Sequence, residues 1–145
     1  MGRGRHAAVG TALTVLGTLA GCATAAPEIA VRDATVRVPA NPDVTAGYLT
    51  LENTGGTDDT LTGVTSEAAA EVQMHDTTDS GGETRMRQRD EVAVPAGDTV
   101  VFETGGLHLM LMGPDDLRAG DTVELSLEFA TSDRVSVDAV VEEIG

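Results

Sequence analysis

From Ile29 onward the chain is cut into short runs rich in Val, Thr, Leu and Ile, separated by clusters of Gly, Pro, Asn and Asp. No run carries the period of an amphipathic helix, whereas alternating apolar and polar residues within the runs suit half-buried strands. The pattern predicts an all-β fold, a sandwich or barrel. Strands are expected at 29–38, 46–53, 59–65, 70–77, 83–88, 99–103, 107–112, 122–130 and 134–141. Turn chemistry falls between them, at Asn53-Thr54-Gly55-Gly56, Asp79-Ser80-Gly81-Gly82, Pro95-Ala96-Gly97-Asp98, Gly113-Pro114-Asp115 and Ala119-Gly120-Asp121. The run 66–71 (SEAAAE) is compatible with either a loop or one helical turn. Tyr48, Phe102 and Phe129 are the only aromatic residues, so the core must be aliphatic, and no stacking platform for bases or sugars is visible.

The N-terminus carries Arg3 and Arg5 and then an apolar run, 7–20, that is short for a bilayer span and reads as a secretory signal. It ends in Leu19-Ala20-Gly21-Cys22, which resembles the lipobox of bacterial lipoproteins. That resemblance implies that 1–21 is a signal peptide and that Cys22 is lipidated, anchoring the protein to the outer face of the cell membrane. An ordinary signal peptide cut after Ala25 or Ala26 would instead leave it periplasmic, and both readings are extracytoplasmic. Residues 22–28 read as a tether and 29–145 as one folded β-domain, within the usual size range of a single domain.

Cys22 is the only cysteine, so the domain has no internal disulfide, thiolate ligand or cysteine nucleophile. There is no lysine, and removal of the signal leaves seven basic residues against 24 acidic ones, a net charge near −17. Such a surface repels nucleic acid and anionic headgroups.

Beyond the signal, the chain has two histidines, His75 and His108, and four methionines, Met74, Met86, Met110 and Met112, all within 74–112. In the run 107–112, alternation puts His108, Met110 and Met112 on one face and Leu107, Leu109 and Leu111 on the other. A hairpin through Gly81-Gly82 brings His75 and Met86 together, with Arg85 and Arg87 pointing away from Met86. Imidazoles and thioethers are neutral donors, and the soft sulfurs suit Cu(I) better than Zn(II), Mg(II) or Ca(II). Thioethers bind without losing a proton and form no disulfides, which fits an oxidising compartment. A blue-copper centre needs a cysteine thiolate, which the domain lacks.

The spacing of these residues resembles the signature of the periplasmic PCu(A)C-type copper chaperones, H-x10-M-x21-H-x-M. Ten residues separate His75 from Met86, twenty-one separate Met86 from His108, and His108-Leu109-Met110 closes the pattern. The likeness extends through AGYLTLENTG at 46–55, GGLHLMLM at 105–112 and the Ala119-Gly120-Asp121 turn. It implies a cupredoxin-like Greek-key β-sandwich or barrel binding one Cu(I) per chain through His75, Met86, His108 and Met110; separately, a monomer is expected. It also implies copper delivery to the CuA site of cytochrome c oxidase, directly or through a Sco-type protein. Met74 and Met112 fall outside the pattern and are expected to pack or support the site, and Leu107 and Leu109 are expected to shield it. The chain ends without a His- and Met-rich tail, which speaks against a second, Cu(II) site.

Two other readings use the same residues. One is an extracytoplasmic copper buffer or resistance protein, and the other a metal-free scaffolding lipoprotein in which His and Met merely pack. No catalytic triad, paired-carboxylate spacing or phosphate-cradling loop is recognisable, so no enzyme is expected.

Overall fold

The alternation translates into ten strands in the computed structural model, which describes Met1 and residues 24–143. They are β1 Ile29–Arg37, β2 Val44–Asn53, β3 Asp59–Thr65, β4 Ala69–Ser80, β5 Glu83–Arg89, β6 Val92–Val94, β7 Thr99–Phe102, β8 Leu107–Pro114, β9 Thr122–Phe129 and β10 Val135–Glu142. No helix occurs among the described residues, and the 66–71 run forms a turn leading into β4. The signal peptide and Cys22 lie outside the described residues. Within the stretch read as a tether, Ala25 accepts a hydrogen bond from the Thr57 hydroxyl and Glu28 bonds to Asn53 and Thr54.

The sheet path runs β5-β4-β8-β2-β1-β10-β9-β3-β6, with β7 also pairing β2. All pairings are antiparallel except β1 with β10. The path curls so that β3 comes back near β4 without a hydrogen-bonded ladder between them. β1 occupies one edge of β2, and the other edge is shared: β8 pairs with its first half and β7 with its second. β7 and β8 are therefore one strand in effect, interrupted by the loop 103–106.

Leu49 and Leu51 of β2, Leu109 and Leu111 of β8 and Val123, Leu125 and Leu127 of β9 form the middle of the core, with Val36, Leu61, Val94 and Val141 around them. Every strand except β5 contributes a buried apolar side chain; β5 is exposed along its whole length. β6, which the sequence did not reveal, places Val92 and Val94 in this core. β4 runs on to Ser80, past the expected end at 77, because its hairpin closes on Gly81 and Gly82. Both glycines have positive φ, 62° and 85°, as a two-residue primed turn requires.

Two buried polar side chains secure the loops. Asn53, fully buried, accepts from the backbone N–H groups of Glu28 and Gly55 and donates to the carbonyls of Thr57 and Val94. All four of its hydrogen-bonding positions are used, joining β1, the 53–57 turn and β6. Asn53→Ala would leave these four backbone groups short of partners and should cost about 3 kcal/mol, read as a lower urea midpoint.

Asp59, also buried, accepts from the N–H groups of Thr60, Thr131 and Ser132. Burial alone would raise its pKa, but the hydrogen bonds from Ser132, Thr60 and Thr131 outweigh it and hold the carboxyl below its ordinary value. A lowered folded-state value stabilises the fold above the ordinary carboxylate pKa, and this contribution fades as pH falls through the lowered one. Asp59→Asn should therefore be clearly less stable than wild type at neutral pH, with the difference closing in urea titrations as pH falls through the lowered folded-state value.

Candidate metal centre

Two registers, β4 with β8 and β4 with β5, place the four expected ligands on one face of the sheet. β4 pairs with β8 so that His75 lies directly across from His108, and their ring centroids are 5.9 Å apart, tilted by 33°. On the same face, Met110 lies across from Gln73, one step back along the ladder. Met86 of β5 lies across from Thr77, one step forward. The four residues thus form a diagonal over β5, β4 and β8: Met86, the histidine pair, Met110. Diagonal neighbours of this kind, about 7–8 Å apart at Cα, are within reach of long side chains.

The opposite face of these strands is core. Leu109 and Leu111 are fully buried and Met74 nearly so, which makes Met74 a packing residue. Leu109 accordingly lies beneath the sheet and does not shield the donor face; β-alternation after His108 requires this. Met112 shares the donor face but lies across from Glu71, two steps from the histidine pair.

Hydrogen bonds fix the free nitrogen of each imidazole. His108 Nδ1 is 2.9 Å from the carbonyl oxygen of Gly106, which can only accept, so Nδ1 carries the proton and Nε2 the lone pair. The Gly106 carbonyl is held by the 103–106 loop and also accepts from the Thr77 N–H. For His75, Nε2 is 2.9 Å from Gln73 Oε1, and the Gln73 amide nitrogen donates in turn to Glu71. This chain orients Gln73 as an acceptor toward His75, so Nε2 is protonated and Nδ1 bears the lone pair. That Nδ1 is buried and has no hydrogen-bond partner. Burial, and after it the neighbouring His108, lowers the His75 pKa, so the ring is neutral at neutral pH.

Exposure is graded across the site. His108 is buried, His75 and Met110 are partly buried, and Met86 is 56% exposed. Among the described residues no three His, Cys, Asp or Glu side chains converge. Gln73 and the Gly106 carbonyl were not singled out from sequence. The alternation Glu71, Gln73, His75 on one face was a usable signal for Gln73, whereas the Gly106 contact depends on the loop's conformation.

Comparison with known proteins agrees with this architecture. A family model described as "Putative lipoprotein LpqE-like" matches residues 29–141. A protein of Leifsonia xyli subsp. xyli, "Putative lipoprotein Lxx21020", is 34% identical over 106 residues, 72% of this chain and 64% of that protein. The chain thus spans a little under two thirds of that relative's length. Among solved structures, the copper-bound PCuAC domain from PmoF2 matches with a TM-score of 0.67 and 24% identity, covering 80% of this chain and 93% of that one. The solution structure of the Cu(I) form of DR1885 from Deinococcus radiodurans matches with a TM-score of 0.63 and 32% identity, covering 75% and 74%. The chain belongs to the LpqE-like family, and its all-β, cupredoxin-like fold is that of the PCuAC domain.

Proposed function

We propose that this protein is an extracytoplasmic carrier of Cu(I), holding one ion with His75, Met86, His108 and Met110. The observation that carries this reading is the buried, unpartnered Nδ1 of His75 beside a second imidazole with a free Nε2. A buried acceptor without a partner costs about 1–3 kcal/mol, and a bound cation removes that cost. The similarity to a Cu(I)-binding protein at 32% identity supports the same cargo.

The donor set suits transfer. Neutral imidazoles and thioethers leave the bound ion's charge uncompensated, so a recipient offering thiolates draws it away. The Gly106 and Gln73 hydrogen bonds hold the imidazoles in the tautomers that expose a lone pair, as partners of metal-binding histidines do. Met86, exposed on a strand outside the core, is the ligand that a recipient's donor replaces first; His108, buried and anchored, is the last.

Lipidation of Cys22 anchors the protein at the membrane, where confinement raises its effective concentration near membrane-bound acceptors. The recipient is the CuA site of cytochrome c oxidase, reached directly or through a Sco-type protein. Transfer of Cu(I) to an isolated apo CuA domain distinguishes delivery from mere buffering.

Competition against a calibrated Cu(I) chelator should find one tight equivalent in the chain from Ala23 onward. Met86→Ala with Met110→Ala should lose it; wild-type protein that fails to compete would disprove the reading. Gln73→Leu removes the partner of His75 Nε2 but leaves the ligands in place. It should weaken Cu(I) binding by about 10- to 100-fold in the same titration, with little change in thermal midpoint.

A further inference from the structure

The strand that carries Met86 is chemically unlike the rest of the protein. β5 holds Arg85, Arg87 and Arg89, three of the seven arginines that follow the signal, in a chain with 24 acidic residues. Their spacing puts all three on one face of the strand. Glu83 shares that face at the hairpin tip and pairs with Arg85, while Asp76 lies across from Arg87. The Arg85–Glu83 pair is exposed on both sides and readily exchanged, and Arg87 and Arg89 form no ion pair among the described residues.

β5 is also an end of the sheet path, pairing with β4 on one side and with no described strand on the other. Asp76, Thr78, Arg85, Met86 and Arg87 line one surface groove, so the exposed thioether and two of the arginines open onto the same concavity. Charge blunts a free edge, and in a chain this acidic the charge placed here is arginine.

Resting on the copper reading of the site, we propose that β5 is the docking strand for an acidic, extended segment of the protein that exchanges copper with this chain. The segment adds to the free edge by backbone hydrogen bonding, and its carboxylates meet Arg85, Arg87 and Arg89. This brings the partner's donor atoms beside Met86, the ligand that leaves first. The net charge near −17 is screened beyond about 8 Å at physiological salt, so the side chains on and beside β5 govern the contact. A protein segment fits better than an anionic membrane, because the free edge offers backbone donors and acceptors that an extended peptide matches and a lipid plane does not.

The probe is a capped peptide alternating glutamate with valine and threonine, beside a counterpart with glutamine for glutamate. Amide NMR shifts are followed in the chain from Ala23 onward, which contains every core residue. The acidic peptide should shift β5 amides and the glutamine peptide should not, with binding lost in about 0.5 M salt. A variant carrying Arg85→Gln, Arg87→Gln and Arg89→Gln, all on an exposed strand, should bind at least about tenfold more weakly. Equal binding of the two peptides, or of the two proteins, would overturn the proposal. So would an arginine requirement seen only with phosphatidylglycerol vesicles, which would mark a membrane contact instead. Cu(I) stoichiometry on the same samples separates the two ideas. One equivalent in both proteins with no peptide binding defeats the docking proposal alone, and no copper in wild type defeats the carrier reading as well.

Discussion

The facing of the two imidazoles depends on one register, that of β4 against β8. Moving β4 by one residue would turn His75 inward and Met74 outward, and would destroy the facing imidazole pair. What prevents it is the core on the other side of the same strands. Leu109, Leu111 and Met74 are buried there, and each such side chain stabilises the fold by about 1.5–3 kcal/mol relative to exposure. The face that carries the imidazole pair is thus held by hydrophobic packing that never touches it.

Within that frame, rigidity declines from one side of the site to the other. His108 sits on the continuation of β7, a strand pinned along β2, and the break between β7 and β8 turns the Gly106 carbonyl onto its imidazole. His75 is held by one side-chain chain, through Gln73 to Glu71. Met86 lies on β5, which buries nothing in the core and is joined to the sheet along one side only. Low local burial makes such a strand the first to open. On the proposed carrier reading, such a gradient would let firmly held imidazoles supply affinity and a loosely held thioether give a recipient its way in.

Most of the strands were legible because each buries one face, and alternation reports that directly. The failures have local causes. β6 is three residues long, too short to display a period, and is recruited by pairing with β3. The end of β4, Thr77 to Ser80, is polar on both faces and is kept extended by the Gly81-Gly82 turn, which the pattern of apolar residues does not register. The donor face of β8 followed from alternation alone, but the facing of His75 and His108 is a register between strands distant in sequence, and no local pattern encodes it. The free Nδ1 of His75 was equally illegible, since it depends on which way Gln73 points.

The residues flanking the imidazole pair bear on which metal such a face accepts. Across from His75 on β5 is Gln88; one step along the donor face is Gln73 on one side and Thr77 on the other. These are the only two glutamines in a chain with 24 acidic residues. A carboxylate at any of the three positions would add a hard, charged oxygen beside two imidazoles, the kind of set that favours Zn(II) or Cu(II) over Cu(I). An amide or a hydroxyl retains the hydrogen bonding, as Gln73 does for His75, without contributing that charge. In a protein this acidic, neutrality around the donor pair is itself a selective feature, and it acts in the same direction as the thioethers.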